Sequence, residues 1–351
     1  MGMAKPDQDF HVPIIDLSAS YVSSAGRQQV AHEIRQACLS SGFFYITSHS
    51  ISAAACDGVL QQAARFLKKT PLADKHCIHI DHSPHGYGWE PSESTSIAGD
   101  VETKEAFNWC YSDDLDPTGG DGQYVQLDGT RTKNLNQWPS EDSVPGFYNA
   151  VKTYYGEALL LARHLCRLFA LSLDLPEDYF ESKTTHPSAN SRMMYYPAGS
   201  PRKDDVGLGA HTDYQCFTIL LCSSAPGLEI RSPSGHWVQA PVVPDGLVVN
   251  IGDMMMRWTN GLYKSTMHRV INRTGEERYS VPLFFGINND GLVEVCQMVS
   301  ITGCVVLTSM LQTLPTCVTD ENPAMYPPIK AGEYILQRLN ATREASGSIH
   351  S

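Results

Sequence analysis

Two hydrophobic periods divide the chain. Val30, Ile34 and Cys38 recur at fours between Arg27 and Leu39, the apolar stripe of a helix that Ser41-Gly42 ends. The flanking runs His11–Leu17, whose Pro13 suits an edge or a strand start, and Gly42–Thr47, aromatic and β-branched, read as strands. A second helix is expected from about Ser52, which can cap it, to Lys69, with Val59, Ala63, Phe66 and Leu67 on its buried face and Pro71 as its stop. The longest helix is predicted from Val144 to Leu173, with Pro145 in its first turn. Its apolar face is broad: Phe147, Val151, Tyr154, Tyr155, Ala158, Leu161, Ala162, Leu165 and Leu168.

From Ser191 to about Asn288 the period falls to two. Strands are expected at Ser191–Tyr196, Gln215–Cys222, Gly227–Arg231, Trp237–Ala240, Leu247–Ile251, Tyr263–Asn272 and Arg278–Ile287, the pattern of a barrel or sandwich. Asn260-Gly261 reads as a hairpin turn, because both residues tolerate positive φ. Gly99 to Pro139 is rich in Asp, Gly, Thr and Asn, with Phe107, Trp109 and Tyr111 as its apolar anchors, and reads as a lid or substrate loop. His76, His79, His82 and His85 fall every third residue. The Asp, Ser, Pro and Gly among them make a loop, so the spacing gives no common face for a metal.

Composition narrows the function classes. Hydrophobic residues make up 42% of 351 and charged residues 18%, enough for a large core. The net charge of -12 argues against nucleic-acid and anionic-membrane partners while leaving room for a basic pocket that takes an acidic small molecule. Ten cysteines without a Cys-x-x-Cys pair, no apolar leader and no bilayer-length run point to reduced thiols and a cytoplasmic protein, expected as a monomer or weak homodimer.

The chemistry gathers in the β region. In extended chain, His211 and Asp213 of Gly209-Ala210-His211-Thr212-Asp213 point to one side, ahead of the buried run Cys216–Leu221. Alone the pair is a common polar strand end. His268, on a later strand of the same region, supplies a third ligand; two imidazoles and one carboxylate on one face of a metal leave the other positions open, as in non-haem Fe(II) oxygenases, while zinc is chemically possible. Ten residues on, alternation sets Arg278 and Ser280 on one face, where a guanidinium and a hydroxyl can grip a carboxylate.

These residues, with Val12–Leu17, Gly42–His49, Asn250-Ile251-Gly252-Asp253, Thr259-Asn260-Gly261 and Lys264–Val270, resemble the iron(II) and 2-oxoglutarate-dependent oxygenases of the isopenicillin N synthase-like family over nearly the whole chain. The resemblance implies an α+β fold with a mostly β core: a double-stranded β-helix, or jelly roll, flanked by helices, with an N-terminal α/β support region. It implies His211, Asp213 and His268 as iron ligands, and Arg278, Ser280 and Tyr196 as holders of 2-oxoglutarate. Phe284 falls where relatives set a substrate-facing aromatic, against an ordinary core reading. Many relatives carry Asn at the position of Met194, a departure at the cosubstrate's metal-binding end.

The implied activity couples oxidative decarboxylation of 2-oxoglutarate, with O2, to C–H oxidation of a small organic molecule, in specialised metabolism and with hydroxylation as the default outcome. Desaturation, cyclisation and ring expansion use the same centre. Two alternatives stand beside it: an oxidase that needs no 2-oxoglutarate, like isopenicillin N synthase itself, and a metal- or ligand-binding protein without turnover. The expected organisation is 1–140, an α/β region with a lid-like loop; 141–190, the long helix and connector; 191–295, the Fe(II)/2-oxoglutarate core; and 314–351, a helical tail with its helix from about Ala331 to Arg343. Between the last two, 296–313 reads as an insertion, either a translated intron or a lineage-specific loop or helix.

Overall fold

The computed structural model describes residues 10–92, 96–97, 100–131, 135–198, 206–293 and 317–347. In chain order the elements are β1 (Ile14–Asp16), α1 (Ser24–Ser40), β2 (Phe43–Thr47), α2 (Ala53–Ala64), α3 (Leu72–His76), β3 (Gly88–Glu90), β4 (Ser96–Ile97), β5 (Asp100–Val101), β6 (Glu105–Trp109) and α4 (Phe147–Ser172). There follow β7 (Pro187–Tyr196), β8 (Val206–His211), β9 (Phe217–Cys222), β10 (Leu228–Arg231), β11 (Trp237–Gln239), β12 (Leu247–Ile251), α5 (Asp253–Trp258), β13 (His268–Ile271), β14 (Arg278–Asn288), β15 (Leu292–Val293), β16 (Ile329–Lys330) and α6 (Ala331–Gly347).

Eight strands form one sheet in the order β1-β2-β12-β9-β14-β7-β6-β3, and four form a second in the order β11-β10-β13-β8. Alternation along β14 and β7 gives the larger sheet two faces with different tasks. Val281, Leu283 and Phe285 of β14, with Ala189 and Met193 of β7, enter the main core beneath α4. Arg278, Ser280, Pro282 and Phe284, with Met194 and Tyr196, turn the other way into a cavity shared with the smaller sheet. The helix α4 backs the sheet through its apolar face, and its Tyr155 hydroxyl donates to the Ala189 carbonyl at 2.6 Å. Truncating a fully buried residue there, such as Leu161→Ala, would cost about 2–5 kcal/mol.

The structure revises several expected elements. The strand expected from Ser191 starts at Pro187, and that expected from Tyr263 is regular only over His268–Ile271. Pro145 precedes its helix, because Gly146 takes φ 79 ahead of Phe147. The single helix expected over 52–69 is α2, capped by Ser52 Oγ accepting from the Ala55 N–H at 3.3 Å, followed by a π-helical turn over Arg65–Lys69. Asn260 and Gly261 do take positive φ, 52 and 78, but they close a helix rather than a hairpin: the Gly261 N–H donates to the Met256 carbonyl at the end of α5. The segment Gly99–Pro139 is more than a lid, since it contributes β6 between β3 and β7, with Phe107 and Trp109 fully buried. The rings of His76 and His79 pack edge-on to Trp89, a structural use of those imidazoles. The insertion proposed at 296–313 lies outside the described residues.

Candidate metal and cosubstrate site

His211 ends β8 and His268 begins β13, and the antiparallel register sets them directly opposite each other. Ahead of the strand expected at Gln215–Cys222, which is β9 from Phe217, His211 ends a separate strand, and Asp213 lies in the connection between the two. Asp213 Oδ1 lies 3.7 Å from both His211 Nε2 and His268 Nε2. The ligand atoms of these three residues all lie within 4.8 Å of one another, and among the described residues no other group of three or more His, Cys, Asp or Glu side chains converges in this way.

The surroundings decide how each ligand presents itself. His211 Nδ1 lies 2.8 Å from the Gly209 carbonyl and His268 Nδ1 lies 3.1 Å from that of Thr266. A carbonyl only accepts, so each ring carries its proton on Nδ1 and turns the Nε2 lone pair to the shared point. Burial, then the neighbouring His211, push His268 down to about 4, which keeps it neutral at neutral pH. Burial opposes ionisation of Asp213, but the two imidazoles and donors from Asn250 and Thr218 hold its carboxyl below the usual range. Asn250 Nδ2 and Thr218 Oγ1 donate to its Oδ2 at 2.6 and 2.5 Å, leaving Oδ1 for the metal. The donor set and this arrangement suit Fe(II).

Across the cavity, Arg278 is 1% exposed, yet among the described residues no carboxylate pairs with it. Its Nη1 reaches Ser280 Oγ at 3.4 Å, its Nη2 reaches Cys222 Sγ at 3.1 Å, and its Nε has no partner. The Tyr196 ring lies 5.0 Å from the guanidinium. Gly227 allows the close approach of the facing strand, since a Cβ there would stand 3.1 Å from Arg278 Cδ. A buried cation with only weak neutral acceptors lacks an anion, and a ligand's carboxylate fits that need. Met194 faces the same space and accepts from the Tyr196 hydroxyl at 3.3 Å through its sulfur.

Phe284 also opens on the cavity, half-buried and outside the apolar clusters that its neighbours join. Asn190, opposite Phe284 in the register, has a buried Oδ1 without a partner. On the same face of β7, Arg192 donates from Nε to Asn108 at 2.8 Å and from Nη2 to Glu90 at 2.6 Å. Sequence reasoning missed Arg192 and Thr218, which read as ordinary strand positions, and Asn190, which falls ahead of the strand expected from Ser191. Asn250 was visible only as part of a motif.

A jelly roll with two imidazoles and a carboxylate at its mouth, opposite an unpaired buried arginine, defines a non-haem metal oxygenase. Residues 187–287 match the model of the 2OG-Fe(II) oxygenase superfamily and residues 12–141 that of the non-haem dioxygenase in morphine synthesis N-terminal family. The chain is 32% identical to 2-oxoglutarate-Fe(II) type oxidoreductase ppzC of Metarhizium majus, over 93% of this chain and 86% of that protein. It is 33% identical to 2-oxoglutarate-Fe(II) type oxidoreductase hxnY of Emericella nidulans, over 92% and 88%. In fold it is similar to a full-length Neurospora crassa protein solved in complex with alpha-KG and 5-formyluracil (TM-score 0.77, 24% identity, 97% of this chain and 100% of that one). It is also similar to a putative 2OG-Fe(II) oxygenase family protein from Caulobacter crescentus (TM-score 0.75, 26% identity, 94% and 98%). The chain belongs to the 2OG-Fe(II) oxygenase superfamily and is an Fe(II)- and 2-oxoglutarate-dependent dioxygenase, with Fe(II), 2-oxoglutarate and O2 as its cofactor and cosubstrates.

Proposed function

We propose that the chain oxidises a C–H bond of a small organic molecule, by hydroxylation in the default case, with His211, Asp213 and His268 holding Fe(II), Arg278, Ser280 and Tyr196 holding 2-oxoglutarate, and Phe284 facing the substrate. The observation that carries this assignment is the buried, unpaired Arg278 guanidinium opening on the same cavity as three convergent ligand atoms. Bound Fe(II) supplies O2 activation coupled to oxidative decarboxylation of 2-oxoglutarate to succinate.

The chain's own part is to bind, orient and exclude water. Arg278 and Ser280 present donors to the far carboxylate of 2-oxoglutarate, and the planar guanidinium fixes its direction as well as its affinity. Against its burial, Asp213 is held in the ionised form by the two imidazoles first and then by Asn250 and Thr218, which satisfy its second oxygen. Leu208, Leu220, Leu228 and Val270 line the cavity with hydrocarbon, which keeps water from the reacting groups. The exposed face of Phe284, opposite Asn190, gives the substrate an aromatic surface with a polar group at its edge.

Specialised metabolism is supported by relatives such as azadirone synthase of Melia azedarach, 31% identical over 93% of both chains. The net charge of -12 supports a protein without nucleic-acid or anionic-membrane partners, and we place it in the cytosol as a monomer or weak homodimer; no helix of the described residues is long and apolar enough to cross a membrane. Fe(II)-loaded full chain incubated with 2-oxoglutarate under air is expected to release succinate, faster when a panel of small molecules contains the substrate. Oxygen uptake that ignores 2-oxoglutarate would instead mark an oxidase, and metal binding without either product a binding protein.

A further inference from the structure

Between His211 and Asp213 the chain has left β8 and not yet entered β9, so no strand ladder fixes it there. Asp253 takes over that task. Its Oδ2 accepts from Thr212 Oγ1, between the two ligands, at 3.1 Å, and its Oδ1 accepts from Ser265 Oγ, three residues before His268, at 2.6 Å. Its backbone N–H donates to the Asp213 carbonyl at 2.8 Å. The approach is close: a Cβ on the preceding Gly252 would stand 2.2 Å from the Gln215 carbonyl oxygen.

The Asp253 side chain is 3% exposed and needs a cation. The cation comes from the C-terminal helix, where Arg338 Nη1 of α6 lies 2.6 Å from Asp253 Oδ2. Arg338 also reaches Thr212 Oγ1 at 3.5 Å and lies over the Tyr214 ring at 4.9 Å, while the Tyr214 hydroxyl meets Thr342 Oγ1 of the same helix at 2.6 Å. One carboxylate thus joins the loop that carries Asp213, the approach to His268 and the helix α6.

We propose that Asp253 is a positioning residue through which docking of α6, by way of Arg338, sets the geometry of the metal ligands. Neither residue belongs to the three convergent ligands, and neither lines the cavity they share with Arg278. With Arg338 in place, the buried carboxylate is held where it accepts from both Thr212 and Ser265; without it, the carboxylate loses its fixed anchor on the helix side and both grips loosen. The helix then acts on the centre from behind the ligands rather than as a cover over the substrate.

The inference rests on His211, Asp213 and His268 being the metal site, so the test reads metal binding directly. Full-length wild type, D253N, R338M, R338K and H211A would be titrated with Co(II) alone, following the visible absorption bands that report coordination geometry, with thermal melts in parallel. D253N is expected to weaken Co(II) binding by about 10-fold or more, the usual scale for groups that orient metal ligands, and to shift the bands. R338M should weaken it several-fold, and R338K, which keeps the charge, should restore most of the loss. Wild-type affinity and spectrum in D253N and R338M, whatever their melting temperatures, would overturn the proposal, as would an R338K no better than R338M. If H211A binds Co(II) as wild type does, the metal reading itself fails, a result separable from the others.

Discussion

At one end of the cavity, each of His211, Asp213 and His268 has its second polar atom engaged by Gly209, Asn250 with Thr218, or Thr266. At the other, Arg278 is buried with a hydroxyl, a thiol and an aromatic ring for company, and its Nε is unpartnered. The two ends also belong to different sheets: the histidines to the four-stranded one, Arg278 and Ser280 to the eight-stranded one. The metal end is finished by the protein alone, with tautomers and charges set before any ligand arrives. The cosubstrate end is unfinished until an anion enters. On the proposed assignment, cosubstrate binding completes the polar pairing between the sheets, and metal binding does not require that completion.

Breaking the finished end should have the largest effect. Replacing His211, Asp213 or His268 by Ala is expected to cut succinate formation by about 10³-fold, the upper scale for losing a group that stabilises reacting charge directly. Metal binding should fall with it in each variant, measured by Co(II) titration of the full chain. A variant that loses turnover but binds metal normally would remove that residue from the ligand set.

The unfinished end should separate cleanly from it. Arg278→Gln removes the charge from a site where truncating one partner of a buried pair costs about 2–5 kcal/mol, so KM for 2-oxoglutarate should rise by about 10²-fold or more. Arg278→Lys keeps a charge but not the fork, and should recover only part of that loss. Metal affinity should stay at the wild-type value in both. Co-variation of metal affinity with the 2-oxoglutarate KM in these variants would erase the distinction between the ends.

A buried ionic network ties the two sheets together beside the cavity. Lys104 Nζ pairs with Glu90 at 2.7 Å and Glu102 at 3.2 Å, Arg192 pairs with Glu90 at 2.6 Å, and Glu102 accepts from the Gly209 N–H at 3.0 Å, next to the carbonyl that orients His211. Burial works against ionisation of Glu90, but Arg192 and Lys104 outweigh it and hold the carboxyl at about 2. Because that lies below the ordinary value of 4.5, the unfolded chain binds the proton first; the stabilisation is full above about 4.5 and is lost as pH falls towards 2. Glu90→Gln should therefore cost about 3 kcal/mol at pH 7, the scale for breaking a buried pair, with the gap to wild type closing below pH 4.5 in denaturant melts. A constant gap across that whole range of pH would show that Glu90 contributes by packing rather than by charge.

How much of this was legible in the sequence follows the same division. His211, Asp213, His268 and Arg278 stand at spacings that the β period interprets, and the structure brings all four to one cavity. Their supports were hidden for physical reasons. The strand β8, Val206-Gly207-Leu208-Gly209-Ala210-His211, interleaves glycine and small residues that read as loop. The strand β6 was masked by Lys104 and Glu105, whose charges are paired inside the fold with Glu90, Glu102 and Lys75. The helix α5 is six residues long and ends at Asn260-Gly261, which a hairpin reading absorbs. Sequence periodicity shows which side chains point together; it does not show which buried charges have found partners.

Phe284 offers the finest test of the division, because it lies on the eight-stranded sheet but belongs to neither ligand set. Its neighbours Leu283 and Phe285 are fully packed, whereas its own ring stays half-buried in the cavity. If that exposed face awaits the substrate, Phe284→Ala removes an aromatic contact worth about 1 kcal/mol or somewhat more. The substrate KM should rise about 5- to 10-fold, while the 2-oxoglutarate KM, metal affinity and substrate-free succinate formation stay unchanged. The melting temperature should also fall less than for Phe285→Ala, which opens a cavity in the main core. Equal destabilisation by the two substitutions, with no change in substrate KM, would return Phe284 to the core.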